Sequence, residues 1–443
     1  MRTRKCLLGI ATLSGVLGPW AQARAVSSET EPGSATAPLA RDATAAAGRS
    51  PGLVEIPPPT EKAVRYYRSG NLIWAIEQVL AIALPLLVLF TGLSARLRTV
   101  ASHWTGGRFY PTLVVYLVLL SVLLFLVELP LSYYVGYVRE HAYGLSSQRF
   151  GKWLGDALKS LGVGLVIGAV VLWVPYWLLG RSPQRWWVWT GMLALPFYTL
   201  ILLVAPLWIA PLFNKFGPMK DKALEAMVLE TASRAGVEGV RVFEVDKSAD
   251  TKKVNAYVTG VGGSKRIVLW DTLLAKLSPG QIRYIVGHEL GHYVLGHVWT
   301  SVLLSSALTV LGLFGAHLLS GFLLARFGAR MGFRELSDIA SLPMLMLLLT
   351  LFSFLIAPAA LALSRYHERE ADRFGLELTR DNREAATAFV ALQQENLAVP
   401  RPGWLYKLLR ASHPPIGERV DFINQYRPWA EGLPGRYAPL IKP

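Results

Sequence analysis

Cysteine and charged residues are both scarce in this sequence. Cys6 is the single cysteine among 443 residues, which excludes an intramolecular disulfide and any cysteine-rich metal site. Charged residues make up 17% of the chain, whereas soluble domains contain about 25%. Hydrophobic residues make up 52%. This balance excludes an intrinsically disordered chain and argues against an ordinary soluble enzyme.

Acidic residues are fewer than basic ones. Asp and Glu number 30 and Lys and Arg number 45, which gives a formal net charge of +15. In so apolar a chain this excess favours a membrane protein, because Lys and Arg in short loops anchor transmembrane helices. The 14 tryptophans fit the aromatic belts at membrane interfaces. We therefore expect a lipid bilayer as a partner, and we do not expect nucleic acid.

The N-terminal segment predicts export rather than a folded unit. Residues 1–25 combine a basic start, a short apolar stretch and the small-x-small sequence Ala23-Arg24-Ala25, which predicts a cleaved signal peptide. The alternative is an uncleaved anchor, which adds another membrane helix. Residues 26–60 are rich in Ala, Ser, Pro, Thr and Glu without periodicity, and this composition predicts a disordered linker.

Six apolar stretches are long enough to cross a bilayer, four of them in residues 61–213 and two in residues 300–363. They cover residues 72–93, 110–133, 161–179, 186–206, 300–324 and 342–363. Three ionisable residues fall at membrane depth, where such groups usually face a bundle interior or a wet cavity: Glu77, Glu128 and His317. The loops on both sides are basic, so the positive-inside rule leaves the orientation open.

Two polar segments account for the rest of the chain. Residues 214–299 predict a small α/β insertion, with a helix at about 221–235 and strands at 240–246, 255–259 and 266–270. Residues 364–443 form a C-terminal region that begins with a charged helix. Neither segment contains a glycine-rich phosphate loop of the GxxxxGK type.

An HExxH sequence in the first polar segment predicts a metal site. Ser278 and Gln281 have the spacing of a capping box, so a helix begins just before the motif. On that helix His288 and His292 are one turn apart on one face, where two imidazoles can bind one divalent metal. Glu289 would take the proton of a water activated by the metal. The pattern is typical of catalytic zinc.

The third ligand cannot be chosen from spacing alone. His297 lies nine residues after His288, about 180° around a continuous helix, so we expect it to face away from the metal. A carboxylate from the later charged helix is favoured instead, and the candidates are Glu368, Glu370 and Asp372. Glu368 and Asp372 share one helix face, where one could bind the metal while the other orients a ligand imidazole.

The two motifs together resemble the CAAX prenyl protease 1 family of membrane-integral zinc metalloendopeptidases. The motifs are HELGH at 288–292 and SRYHEREAD at 364–372, and further matches lie at 211–216, 255–257, 266–274 and 412–415. The resemblance covers roughly residues 61–427. It implies a mainly α fold, in which membrane helices surround a large water-filled chamber capped by a small zinc-metalloprotease α/β insertion.

The resemblance also implies roles for individual residues. Glu368 matches the third zinc ligand, with one Zn²⁺ per chain. Asp372 and Arg365 match residues that support the metal site. Asn255 matches the asparagine on an edge strand suited to pair with an extended substrate peptide. His413 matches a histidine near the scissile carbonyl, where an imidazole can stabilise a developing oxyanion.

We therefore predict an integral-membrane zinc endopeptidase that hydrolyses peptide bonds with Glu289 as the base. Its substrate is expected to be a peptide or protein, and lipid modification is left open because the signal-like segment is typical of bacteria and prenylation of eukaryotes. The expected location is the bacterial inner membrane, with a function in membrane-protein processing or quality control. If the signal is removed, six spans remain, whereas the family has seven.

Two other functions compete with this prediction. A site-2-type intramembrane protease would bury HExxH in a span and would carry a later LDG motif, which this sequence lacks. A channel or transporter-like chamber protein could use zinc as a structural element. Structural zinc normally has four ligands, often cysteines, whereas this sequence offers three ligands and a base.

Overall fold

The computed structural model describes residues 53–260 and 262–443. The predicted signal peptide and residues 26–52 of the predicted linker lie outside these residues. Within them, six helices are long and apolar enough to cross a membrane: Glu61–Phe90, Phe109–Ala142, Phe150–Arg181, Trp186–Leu212, His297–Met331 and Ile339–Thr379. The six predicted spans are thereby confirmed, and each helix extends beyond its apolar stretch into polar sequence.

The regular elements are numbered in chain order. The helices of the N-terminal membrane region are α1 (Glu61–Phe90), α2 (Leu93–Trp104), α3 (Phe109–Tyr133), α4 (Arg139–Ala142), α5 (Phe150–Arg181), α6 (Trp186–Met192) and α7 (Ala194–Val204). The polar insertion contains β1 (Phe216–Pro218), α8 (Lys222–Arg234), β2 (Arg241–Val245), β3 (Ala256–Thr259), β4 (Arg266–Trp270), α9 (Asp271–Lys276) and α10 (Pro279–Val294). The remaining helices are α11 (His297–Met331), α12 (Leu342–Thr379), α13 (Asn382–Glu395), α14 (Trp404–Leu409) and α15 (Ile416–Gln425).

The insertion forms a four-stranded sheet with the order β1-β2-β4-β3. β2 and β4 are parallel, and β1 and β3 pair antiparallel at the two edges. The three predicted strands are present, and the sequence did not predict β1. That strand is only Phe-Gly-Pro, which combines a strand-forming residue with two residues that are depleted in strands. Among the described strands, β3 is therefore at one edge of the sheet.

One helix connects the membrane region to the protease region. α12 has 38 residues and is about 57 Å long at 1.5 Å per residue. Its first turns, from Leu342 to Leu348, are buried in the core formed by the membrane helices. Its last turns, at Phe374 and Leu378, are buried in the core around the sheet. A side chain on its C-terminal half is therefore fixed relative to both cores.

A cavity of about 990 Å³ lies between the membrane helices and the sheet. Its wall includes residues of α1, α3, α5, α7, α11 and β3. Glu77 lines this cavity, as its depth in the first span predicts. Glu128 lines a separate small apolar pocket between α1, α3 and α12. His317 accepts a hydrogen bond of 3.3 Å from Trp186 Nε1, so it lies between two helices rather than in the cavity wall.

The linker prediction does not hold for the end of the segment 26–60. The backbone N–H of Val54 donates to Asn424 Oδ1 at 3.2 Å, and Asn424 Nδ2 donates to the Val54 carbonyl at 3.0 Å. Gln393 Nε2 donates to the carbonyl of Pro57 at 2.7 Å. Pro57 begins a run of three prolines, which favours an extended chain whose backbone groups remain available to partners. These residues are therefore tied to the protease region.

Candidate metal centre

The start of the HExxH helix α10 is fixed by its own sequence. Ser278 Oγ accepts a hydrogen bond from the Gln281 backbone N–H at 3.1 Å, and Gln281 Oε1 accepts one from the Ser278 N–H at 3.0 Å. The predicted capping box is thereby confirmed. The capping box fixes the start of α10, and the helix continues through His288 and His292, whose spacing of four residues places them on one face.

α10 packs closely against α12, which carries the candidate carboxylates. A Cβ atom at Gly291 would lie 3.1 Å from the Cα of Ala371, and one at Gly375 would lie 3.0 Å from the backbone N of His288. Side chains at these positions would push the two helices apart. Glycine therefore permits the approach that brings histidines of one helix to a carboxylate of the other.

Three side chains from these helices converge. His288 Nε2 lies 3.4 Å from Glu368 Oε2, and His292 Nε2 lies 3.3 Å from Glu368 Oε1. The three ligand atoms all lie within 4.8 Å of one another, and they form the one such group of three or more found among the described residues. His288 and Glu368 are buried and His292 is partly buried. Of the three carboxylates that spacing left open, Glu368 contacts the Nε2 atoms of both histidines, whereas Asp372 contacts only Nδ1 of His288.

Glu370 points to a different part of the molecule. It accepts a hydrogen bond of 2.8 Å from Arg373 Nη1, pairs with Arg436 at 3.2 Å and accepts one from the Tyr437 hydroxyl. These partners come from its own helix and from the C-terminal segment. Glu370 therefore ties the C-terminus to α12 and is not a ligand candidate.

The donor set fits zinc. Two imidazoles and one carboxylate are the ligands of one common class of catalytic zinc site. Glu368 Oε2 is buried and makes no hydrogen bond within the described chain, which is the situation that a bound cation would relieve. Asp372 Oδ1 lies 3.0 Å from His288 Nδ1. A proton on that Nδ1 leaves the Nε2 lone pair directed at the ligand group.

Asp372 is paired with a buried arginine that the sequence did not predict. Arg419 Nε donates to Asp372 Oδ2 at 2.8 Å, and Arg419 Nη1 lies 3.4 Å from Glu368 Oε2. The guanidinium also lies 4.1 Å from the centre of the Phe389 ring. The Tyr284 hydroxyl donates to Asp372 Oδ1 at 3.1 Å. Arg419 therefore neutralises part of the negative charge of Asp372 and Glu368.

His297 is not one of the three ligand residues, as predicted, but its predicted orientation away from the site is wrong. α10 ends at Val294, and a new helix starts at His297 after Gly296, whose φ is +69°. The position of His297 therefore cannot be extrapolated around α10. His297 is buried, its Nδ1 lies 3.0 Å from His292 Nδ1, and its ring stacks on that of His367 at 4.2 Å. A glycine after a helical run is a stop signal, and it could have revealed the break.

His413 and Arg365 meet at one loop. His413 Nε2 lies 3.2 Å from Glu368 Oε1, and its Nδ1 lies 2.9 Å from Ser412 Oγ. Arg365 does not contact the ligand group. Its Nη1 donates to the carbonyls of Lys407 and Ala411, both at 2.8 Å, and thereby holds the segment that leads into His413.

Asn255 lies at the start of the edge strand β3. Its carbonyl accepts a hydrogen bond of 3.1 Å from the Trp270 N–H, and the residue lines the large cavity. Asn255 therefore lies immediately before the edge strand, one residue outside it, and not within the strand as predicted. The free edge of β3 faces the same cavity through Tyr257 and Val258.

Three groups at the candidate site and outside the spans have shifted pKa values that bear on its chemistry. Burial lowers the pKa of His288, but contacts with the carboxylates of Asp372 and Glu368 outweigh burial and raise the pKa to about 9. Burial raises the pKa of Glu289, against the opposing effect of His288 and His292. Burial lowers the pKa of His413, although Glu368 opposes the shift. Metal and proton therefore compete for His288, while His413 stays neutral at neutral pH.

Comparisons with known proteins agree for both halves of the chain. The family model described as peptidase family M48 matches residues 218–427. The model described as the CAAX prenyl protease N-terminal region, with five membrane helices, matches residues 58–215. In this structure the same residues contain four helices of membrane length and the shorter helix α2.

Individual relatives are similar over most of their length. An uncharacterized metalloprotease of Bacillus subtilis, YhfN, is 35% identical over 83% of this chain and 86% of that protein. CAAX prenyl protease 1 of Saccharomyces cerevisiae is 30% identical over 70% of this chain and 72% of that protein. The crystal structure of Ste24p from S. mikatae aligns with a TM-score of 0.70 and 27% identity, covering 82% of this chain and 87% of that one.

Proposed function

The chain belongs to peptidase family M48, and we propose that it is a zinc endopeptidase with one metal bound by His288, His292 and Glu368. It is a multi-pass membrane metalloprotease homologous to CAAX prenyl protease 1. The convergence of two imidazole nitrogens and a carboxylate oxygen within 4.8 Å carries the proposal. Asp372 and Arg419 support this group by orienting His288 and balancing charge.

The base in this proposal is Glu289. Zinc, when bound by such ligands, acidifies water and polarises a peptide carbonyl. Glu289 follows His288 on α10 and is partly buried, and its carboxylate is proposed to accept the proton of the attacking water. Burial raises its pKa, which lets the same carboxyl group return the proton to the leaving amine.

His413 is proposed to stabilise the oxyanion. It lies beside Glu368, and its surroundings exclude enough water to keep the pKa of its imidazole low. A neutral imidazole donates one N–H, and a fixed donor near a developing negative charge lowers the barrier. Arg365 keeps this donor in place by binding the backbone on both sides of Arg410.

The substrate is proposed to be an extended peptide segment that adds to the edge of β3 next to Asn255. Strand addition satisfies the substrate backbone without selecting a particular sequence. The cavity beside this edge has a volume of about 990 Å³ and contains both apolar and charged wall residues. It has room for a segment of a protein substrate, with or without an attached lipid. We place the enzyme in a bacterial inner membrane.

The two competing functions are disfavoured by the site. HExxH lies on α10, which is not one of the six membrane-length helices of the described chain, whereas a site-2-type protease would bury it in a span. A structural zinc in a channel would not need Glu289 beside the ligands or a neutral His413 at Glu368. No observation favours either function over peptide hydrolysis.

The proposal is tested with two quenched-fluorescent peptides of the same sequence, one with and one without a farnesylated CAAX end. Purified protein in detergent is expected to cleave the unmodified peptide, and a chelator is expected to stop the reaction. Faster cleavage of the farnesylated peptide would extend the substrate class to lipid-modified proteins. If neither peptide is cleaved by protein that contains one zinc per chain, the peptidase proposal is contradicted.

A further inference from the structure

The short helix α14 has an apolar face that no described residue covers. Trp404, Leu405 and Leu408 are 75%, 52% and 38% exposed. Their spacing of i, i+1 and i+4 places them on one side of the helix. The other side packs inward, where the ring of Tyr406 lies 5.2 Å from that of Tyr67 on α1.

Contacts with α1 fix the depth of α14 relative to the membrane. Arg410 follows α14 directly, donates a hydrogen bond to Asn71 Oδ1, and places its guanidinium 5.5 Å from the centre of the Trp74 ring. Asn71 and Trp74 flank Leu72, where the first apolar stretch begins. α14 therefore lies level with the end of the first span.

Contacts with α12 give the same depth independently. Arg365 Nη1 donates to the Lys407 carbonyl at 2.8 Å, so α14 lies beside this turn of α12. Arg365 comes two residues after Leu363, where the apolar stretch of the last span ends. Two separate helices thus place α14 level with the ends of their apolar stretches.

We propose that α14 is a membrane-interface anchor, with Trp404, Leu405 and Leu408 seated among lipid headgroups and upper acyl chains. Tryptophan prefers this zone, and an amphipathic helix binds there through its apolar face. The face lies level with Leu72 on α1, which is 65% exposed where its span begins. The occupant is therefore lipid rather than a second protein chain.

The anchor is connected to the candidate active site. α14 runs through Arg410 into Ser412 and His413, and Ser364 Oγ on α12 donates to the Ser412 carbonyl at 2.7 Å. Lipid contact at α14 would thus help to fix the distance of the His413 segment from the membrane. The anchor depends on the membrane location alone and does not require the proposed peptidase function.

The test measures the depth of fluorescent labels in reconstituted phosphatidylcholine vesicles. Single cysteines are introduced as Trp404→Cys or Leu405→Cys in a Cys6→Ser background and labelled with an environment-sensitive dye. Leu229→Cys on α8, 38% exposed, is the water-facing control, and Val166→Cys in the middle of α5, 65% exposed, is the hydrocarbon control. Lipids spin-labelled near the headgroup or near the chain end serve as quenchers, and each labelled protein must be monodisperse before reconstitution.

Labels at 404 and 405 are expected to be quenched about twofold more by the headgroup-proximal spin label than by the chain-end label. The label at 166 should show the reverse order, and the label at 229 should not be quenched by either lipid. The proposal is overturned if the labels at 404 and 405 behave like the one at 229. It is also overturned if they are shielded from aqueous iodide but unaffected by both lipids, since protein would then cover the face.

Discussion

Replacing Glu289 with glutamine is expected to lower kcat by about 10²–10⁴-fold while zinc remains bound. Glutamine has nearly the same shape as glutamate but cannot accept the proton of the attacking water. Glu289 is not part of the group of ligand atoms, which consists of His288, His292 and Glu368. The substitution should therefore remove the base and leave the metal site intact.

The measurement is kcat and KM with the unmodified fluorogenic peptide, together with the zinc content of each protein. Glu431→Gln is a matched control, because that carboxylate is exposed on the C-terminal segment. We expect the control to retain the wild-type rate and both proteins to contain one zinc. A Glu289→Gln protein that is as active as the wild type would show that another group accepts the proton.

Replacing Arg419 with methionine is expected to have the largest effect on stability. Asp372 and Arg419 have side chains that are 1% and 8% exposed, so the substitution leaves a buried carboxylate without its cation. Burial lowers the pKa of Arg419, but Asp372 and Glu368 outweigh it and raise the pKa above its usual value, so the guanidinium stays charged. Removing one partner of such a pair typically costs about 3–5 kcal/mol.

Thermal and denaturant unfolding of the chelated protein would measure this cost. The loss is expected to be smaller with zinc bound, because the metal compensates part of the charge of Glu368. Arg401→Met is the matched control, since its ion pair with Asp421 is largely exposed and should contribute about 0–1 kcal/mol. Equal stabilities for the two variants would contradict the assigned role of Arg419.

A double-mutant cycle separates the pair from its surroundings. Asp372→Asn alone is expected to weaken zinc binding by about 10–100-fold, because the carboxylate no longer orients His288. The double variant with Arg419→Met should be less destabilised than the sum of the single variants, because the two residues are in direct contact. Additive effects would mean that the two residues act independently.

The features that could be predicted from the sequence depend on local pattern. The six spans follow from uninterrupted apolar stretches, and the start of α10 follows from Ser278 and Gln281, which are three residues apart. The helical spacing of His288 and His292 places both imidazoles on one side. Spacing alone could not select Glu368, because Glu370 and Asp372 are as close in sequence and the distinction depends on which face of α12 meets α10.

The features that escaped prediction depend on tertiary packing. Arg419 lies 47 residues after Asp372, and it reaches the site because α15 packs against α13 and also contacts α12. The orientation of His297 was predicted incorrectly because α10 was extended through Gly296, whose positive φ separates two helices. The hydrogen bond between Val54 and Asn424 joins residues 370 positions apart, and no local sequence pattern predicts it. Local sequence pattern thus predicts the two histidine ligands, whereas tertiary packing determines which residues, such as Arg419, lie around them.

The measurement that tests the central claim most directly is a zinc titration of the chelated enzyme, in which bound metal and peptide cleavage are followed together. We expect no cleavage without metal and full recovery at one zinc per chain. His288→Ala and Glu368→Gln proteins should neither bind zinc at this stoichiometry nor recover activity. Cleavage that persists in the metal-free enzyme, or that recovers equally in those two variants, would contradict a zinc peptidase site at this position.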